Sequence, residues 1–291
     1  MYTAVLLAPP AQGALDPTLV QTLRAAWGGG TLRWLSPGEA AEFGVPAVPG
    51  NLWDVWRDCQ ALGVDLVIVP NEGRRKKMLL ADMDSTMIQQ ECIDELAEEA
   101  GVGAHVRDIT ARAMNGELDF EAALRERVGL LNGLSQSVIK TVLDNRITYM
   151  PGGRDLLVTM RAHGAYAALV SGGFTAFTAR VSEALGFNEH RANTLIVQDG
   201  ILTGKVTTPI LGKQAKVDAL VEITQARGLN EADVIAVGDG ANDLGMLHRA
   251  GMGVALHAKP AVAKECDMRI NFCDLTALLF LQGYAKGDFA A

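Results

Sequence analysis

At 291 residues, 49% of them hydrophobic, the chain can bury a sizeable core as one large α/β domain with an insertion, or as two to three small domains. A formal net charge of −8, with no basic run longer than Arg74-Arg75-Lys76-Lys77, argues against a nucleic-acid partner. No apolar run reaches the length of a membrane span and the first ten residues lack a basic n-region, so the expectation is a soluble, cytoplasmic protein with no membrane partner.

Residues 1–73 read as a separate small α+β unit. Strand patterns at Tyr2–Leu7, Thr31–Leu35 and Asp65–Val69 alternate with helical patterns at Pro17–Trp27 and Trp53–Leu62, an order that suggests βαββαβ, ferredoxin-like or ACT-like. No chemistry is evident in this unit. Pro70 to Gly73 read as a linker, and the basic stretch that follows as a solvated continuation of it.

An apolar run then delivers two carboxylates two residues apart, in Leu79-Leu80-Ala81-Asp82-Met83-Asp84-Ser85-Thr86. The pair reaches one site if the strand ends at Asp82 and the chain turns, which is how a site at a strand's carboxyl end is built. A helix cap followed by a solvated loop residue is the structural alternative.

Beyond Asp84 the period is helical for about sixty residues, with helices suggested around Ile93–Ala100, Val106–Met114, Phe120–Leu131 and Val138–Leu143. Four helices with no strand between them read as an inserted cap over 89–146. Strand patterns return at Ala165–Val170, Val234–Val237, Gly253–Leu256 and Arg269–Phe272. Their alternation with helices predicts a Rossmann-like, doubly wound parallel sheet formed by 74–88 and 147–291. Asp199-Gly200, flanked by apolar residues, predicts a hairpin peripheral to that sheet.

Three of these strands end in polar, glycine-flanked sequences: Asp82 to Thr86, Ser171-Gly172-Gly173, and Gly238-Asp239-Gly240-Ala241-Asn242-Asp243. In a doubly wound sheet the carboxyl ends of adjacent strands face one crevice, so the three sets meet. Asp82, Asp239 and Asp243 are hard oxygen donors with no His or Cys set beside them, which suits Mg²⁺ rather than zinc. Phosphoryl transfer needs such parts: Asp82 as nucleophile, Asp84 as general acid and then base, Ser171 and the Gly172 amide as phosphate donors, and Lys216 as a point charge. Asn242 either joins the phosphate site or caps the following helix. The four cysteines have no metal-ligand or disulfide spacing and read as reduced, buried small hydrophobes; the five histidines follow no ligand or base spacing.

Asp82-Met83-Asp84-Ser85-Thr86, Ser171-Gly172-Gly173-Phe174, Lys216 and Gly238 to Asp243 resemble the four motifs of the haloacid dehalogenase superfamily, and more narrowly those of its phosphoserine phosphatase family. The resemblance runs from about Met78 to about Cys273. It implies a Rossmann-like core with a helical cap, and Mg²⁺ held by Asp82, the Asp84 main-chain carbonyl and Asp239, with Asp243 behind them. It also implies hydrolysis of O-phospho-L-serine through a phospho-aspartyl intermediate, the last step of serine biosynthesis. Glu91, in Gln89 to Glu95, resembles the family glutamate that meets the substrate ammonium. Met114 and Phe120 resemble residues that close over the substrate, and Arg127 the residue that binds its carboxylate. Read without the resemblance, Glu91 is a helix-dipole residue and Arg127 part of a solvated Arg-Glu-Arg face. In related enzymes a unit such as 1–73 serves amino-acid binding, regulation or dimerisation, which leaves a homodimer open. The alternative functions are phosphatase or phosphotransferase action on another small phosphate, and an amino-acid-sensing binding protein with a vestigial core.

Overall fold

The computed structural model describes residues 1–10 and 15–290. Its N-terminal part runs β1 (Tyr2–Leu7), α1 (Pro17–Ala26), β2 (Leu32–Ser36), β3 (Ala40–Val45), α2 (Leu52–Ala61) and β4 (Asp65–Pro70). The antiparallel sheet has the order β2-β3-β1-β4. Strand β3 completes the βαββαβ order, although its Ala-Ala-Glu-Phe-Gly-Val carries a weak strand pattern. Strand β1 shows how the unit is mounted. Ala4 and Leu6 pack with Val20 and Leu23 of α1, whereas Val5 and Leu7 pack into the main core with Leu281 and Tyr284. Period-two side-chain alternation thus gives each face of one sheet its own apolar partner.

The second sheet is parallel throughout, with the order β12-β11-β10-β5-β6-β7. Its strands are β5 (Met78–Ala81), β6 (Tyr166–Phe174), β7 (Glu189–Asn193), β10 (Val234–Gly238), β11 (Met252–Leu256) and β12 (Met268–Ile270). All four residues of β5 are buried, as a central parallel strand covered on both faces requires. Leu79 and Ala81 face α7 (Gly153–Ala162) and α8 (Thr175–Leu185) through Leu157 and Phe177; Met78 and Leu80 face α9 (Lys213–Ala226) and α10 (Leu244–Arg249) through Leu220 and Met246. The short helices α11 (Pro260–Lys264) and α12 (Ala277–Leu281) complete the layer architecture.

Between β5 and α7 lie α3 (Cys92–Glu99), α4 (Gly103–Met114), α5 (Phe120–Gly129) and α6 (Ser137–Asn145). The hairpin of β8 (Leu195–Gln198) and β9 (Ile201–Val206) turns at Asp199 and Gly200, both at positive φ, as a type I′ Asp-Gly turn requires. It lies outside the parallel sheet and docks on the helical insertion, where Leu202 exchanges backbone hydrogen bonds with Gly133 and Leu134.

The basic stretch corrects its sequence reading. Arg75 and Lys77 are solvated as expected, but Lys76 is buried with its Nζ donating to the Ala232 carbonyl at 2.8 Å, and Arg74 donates to Leu281 O, Phe280 O and Glu42 Oε2. Asp65, fully buried, accepts from the Asn271, Phe272 and Cys273 amides at 2.8–3.1 Å. These groups stitch the N-terminal sheet to the core, and charge-assisted bonds of this kind are stronger than neutral ones. All four cysteines are free and buried, and all five histidines are exposed. Among the described residues no helix is long and apolar enough to cross a membrane.

Candidate active site

Strand β5 ends at Ala81, and the Asp82 amide makes one further ladder bond to Val237 O at 3.0 Å before the chain turns. Thr86, Met87 and Ile88 all donate back to Met83 O, a tight turn that brings Asp84 over the strand end. Ser85 sits at φ 54°, a left-handed conformation costly for a side-chain-bearing residue and characteristic of functional turns.

Asp82, Asp84, Glu91, Met114, Phe120, Arg127, Ser171, Gly172 and Asn242 line one cavity, together with Ile93, Leu124, Gly173 and Phe174. Lys216, Asp239 and Asp243 lie behind it. Lys216 is fully buried, with Nζ 2.7 Å from Asp82 Oδ1 and 2.5 Å from Asp243 Oδ1. Burial alone would depress the Lys216 ammonium, but Asp243 and Asp82 outweigh it and hold the pKa above the ordinary value. The other Asp243 oxygen accepts from the Asp239 and Gly240 amides at 3.2 and 3.0 Å. Both oxygens of Asp243 are therefore engaged within the protein.

Asp84 is held on two sides: Oδ1 accepts from the Cys92 amide at 2.8 Å and Oδ2 from Ser171 Oγ at 3.1 Å. Asp84 thus serves the first amide of α3, while the Glu91 side chain at the N-cap position makes no capping bond. The Glu91 carboxylate instead turns inward and accepts from Ser85 Oγ at 2.7 Å. Burial, reinforced by the nearby Asp84 charge, pushes the Glu91 pKa well above the usual carboxylate range. Arg127 is 2% exposed whereas Arg125 and Glu126 are exposed, so the solvated-face reading fails for Arg127 alone. Its pKa is lowered by burial, against the pull of Glu91 and Asp94.

The helical insertion is closed over the strand ends. The Ala241 amide donates to Met114 O at 3.1 Å, and the Phe120 ring lies so near Gly172 that a Cβ there would be 2.5 Å from Cζ. A Cβ on Gly173 would be 2.6 Å from Asp84 Oδ2. Close approach of backbone to ring and carboxylate is what these two glycines allow. Asn242 does not cap α10; its Oδ1 is buried without a partner.

Asp82, Asp239 and Asp243 each offer a carboxylate oxygen, all within 4.8 Å of one another. Asp82 Oδ1 and Asp239 Oδ2 are buried with no well-directed hydrogen bond. Burial raises the Asp82 pKa well above its usual range, with Asp243 adding to the rise and Lys216 opposing it; Asp239 is raised to about 7 by burial and then by Asp243. Three buried carboxylates whose charge only the Lys216 and Lys259 ammonium groups offset among the described residues, two of the three pushed by burial toward the neutral form, are what a divalent cation would satisfy, so the donor set fits a hard metal ion.

Sequence reasoning did not single out Ser85, Gly173 or Lys259, whose Nζ lies 3.5 Å from Asp239 Oδ2. Lys259 follows β11, a fourth strand whose carboxyl end opens on the same crevice, and that adjacency was the available signal.

A parallel sheet with an acidic cluster at its carboxyl ends and a helical insertion over it defines the class: a family model of haloacid dehalogenase-like hydrolases matches residues 79–248, and the chain belongs to that family. More narrowly, the chain is 41% identical over 260 residues to a phosphoserine phosphatase of Streptomyces coelicolor, covering 88% of this chain and 63% of that one. It spans 63–70% of the length of the first four curated relatives it matches. Among solved structures, a haloacid dehalogenase family hydrolase from Salmonella enterica serovar Typhi superposes with TM-score 0.85 at 31% identity. That match covers 97% of this chain and 98% of the other, so it takes in the N-terminal sheet. A phosphoserine phosphatase solved as a phospho-aspartyl intermediate analogue gives TM-score 0.68 at 41% identity, covering 71% of this chain and 98% of that one.

Proposed function

We propose that this chain is a Mg²⁺-dependent phosphatase that hydrolyses O-phospho-L-serine to L-serine and phosphate. The observation that carries the substrate is the pairing of Glu91 and Arg127, one partly buried acid and one buried base, in the cavity that Asp82 and Asp84 line from the sheet. A zwitterionic amino-acid phosphate has a charge for each: its ammonium for Glu91, its carboxylate for the Arg127 fork. The names of the curated relatives support the same reading. The organisation that goes with it is a module over 1–73, a catalytic core over 74–88 and 147–291, and a cap over 89–146.

In the first half-reaction an Asp82 carboxylate oxygen attacks phosphorus, the bond from phosphorus to the seryl oxygen breaks, and Asp84 gives that oxygen a proton. In the second, Asp84 takes a proton from water as the water oxygen attacks the phospho-Asp82 phosphorus, releasing phosphate and restoring Asp82. Lys216 opposes the protonation of Asp82 and fixes it in place. Ser171 spends its proton on Asp84 and keeps that carboxyl aimed at the leaving oxygen, while the Gly172 amide and Asn242 face the phosphate. The cap excludes bulk water while the ester is intact. Mg²⁺, held by Asp82, Asp239 and the Asp84 main-chain carbonyl with Asp243 behind them, would supply charge neutralisation on the non-bridging phosphate oxygens.

The test is phosphate release from O-phospho-L-serine with and without Mg²⁺, beside phosphothreonine, phosphoethanolamine and phosphoglycerate, with Asp82→Asn as the blank. A Mg²⁺-dependent preference for phosphoserine, abolished in the variant, is expected. Equal rates on all four substrates would remove the assigned substrate and leave a phosphatase of other specificity.

A further inference from the structure

Behind Arg127 stands a hydroxyl and a carboxylate that the mechanism above does not use. The Arg127 Nε donates to the Ala123 carbonyl at 3.1 Å, within its own helix α5, and Nη1 donates to Thr110 Oγ1 of α4 at 3.0 Å. Thr110 Oγ1 in turn donates to Asp94 Oδ1 of α3 at 2.6 Å. Exposures of 2% for Arg127, 4% for Thr110 and 9% for Asp94 make this a buried chain that crosses three helices of the cap.

A hydroxyl carries one proton and two lone pairs. Because Asp94 takes the proton, Thr110 can present only a lone pair to Arg127, which fixes the sense of the chain. An uncharged acceptor alone would leave the hydroxyl free to turn its proton toward the guanidinium, where it repels. Two of the five guanidinium N–H groups are thereby committed. Among the described residues Nη2 donates to nothing, and Arg127 lines the same cavity as Asp82 and Asp84. A planar fork is useful for a carboxylate only in a fixed plane, and a long side chain reaching from a helix does not fix that plane by itself.

We propose that Thr110 and Asp94 are positioning residues that hold the Arg127 guanidinium in the plane that receives the substrate's carboxylate. The inference rests on the O-phospho-L-serine reading and deepens it, since it locates carboxylate selectivity in two residues that touch no substrate atom. Thr110 and Asp94 then govern affinity for substrates that bear a carboxylate and leave the chemistry at Asp82 alone.

The experiment compares the wild-type full chain with Thr110→Val and Thr110→Ser on O-phospho-L-serine and on O-phosphoethanolamine, which lacks the carboxylate, with Mg²⁺ present. For Thr110→Val the KM for phosphoserine is expected to rise about 10-fold or more, the scale of a lost hydrogen bond to a charged group. Its kcat is expected to stay within about 2-fold, as is kcat/KM for phosphoethanolamine; Thr110→Ser, which keeps the hydroxyl, is expected to return KM to near wild type. An equal loss on both substrates, or no change on either, overturns the positioning role. Should Thr110→Val fail to fold, Asp94→Asn is read in the same two-substrate assay, and absence of the phosphoserine-specific rise in KM overturns it there. A wild-type enzyme indifferent to the carboxylate would overturn the substrate reading and this inference with it, an outcome visible before any variant is measured.

Discussion

Replacing Lys216 by Met is the sharpest test of the electrostatic frame behind Asp82. The ammonium is fully buried and lies 2.7 Å from Asp82 Oδ1 and 2.5 Å from Asp243 Oδ1, and Met keeps most of the stem while deleting the charge. Asp243 still has its two amide donors, but Asp82 Oδ1 has no other cation so near. Removing one member of a buried ion pair costs about 3–5 kcal/mol, because the remaining charge stays desolvated. Protonation of Asp82, whose pKa burial already raises, caps that cost, so the expected loss at neutral pH in chelator lies toward the lower figure, about 3 kcal/mol. Urea unfolding followed by circular dichroism would show a lowered midpoint with an unchanged m-value. The loss should shrink as pH falls and Asp82 takes up its proton. A change below about 1 kcal/mol at neutral pH would refute the claim that the ammonium holds the carboxylates together. Activity should vanish in the same variant, since nothing as near would then oppose the protonation of Asp82, the proposed nucleophile.

Asp84→Asn keeps the shape and the bond from the Cys92 amide but removes the transferable proton, and kcat should fall about 10²–10⁴-fold in a phosphate-release assay. Gly172→Ala places a Cβ 2.5 Å from the Phe120 ring, so the cap should close at a cost of about 1–3 kcal/mol. That cost should read as a 5- to 150-fold loss of kcat/KM, relieved by Phe120→Leu in the double variant. Removing divalent cations should lower Tm, because a cation at about 100 times its Kd stabilises the folded chain by about 2.7 kcal/mol, and Asp239→Asn should weaken that response. In chelator, the Asp239 pKa of about 7 makes a signed prediction about pH. A raised carboxylate pKa contributes stability that is present below the ordinary value of 3.8 and lost as pH climbs through about 7. Wild type should therefore lose ground to Asp239→Asn by up to about 1.4 kcal/mol per pH unit across that window. Urea midpoints for the pair from pH 5 to pH 8 would show it, and a difference flat with pH would refute the assignment.

Most of the site was legible because its parts lie in short runs tied to strand ends. The chain need only stop a buried strand at Ala81 or Gly238, and break the ladder register of β6 after Val170, to place Asp82, Asp239 and Ser171 at one edge of one sheet. The reading failed where a residue's role is set by a distant partner. Arg74 to Lys77 has the composition of a solvated linker, and only the α12 carbonyls, Glu42 and Asp233 make it a joint between two sheets. Likewise β3 and the edge strand β7 owe their conformation to neighbouring strands, and their own residues mark them weakly. Glu91 and Asn242 carry the lesson furthest: Glu91 stands at the N-cap of α3 and makes no capping bond, and Asn242, one residue before the α10 N-cap Asp243, makes none either. The helix that follows Glu91 is served by Asp84, and the turn before α10 by Asp243, which accepts from the amides of Asp239 and Gly240. A side chain relieved of capping is free to face the cavity. The local capping rule therefore misreads these two positions for one reason: Asp84 and Asp243 hold the turns, which leaves Asn242 Oδ1 without a partner and the Glu91 carboxylate, bonded by Ser85, on the wall of the cavity.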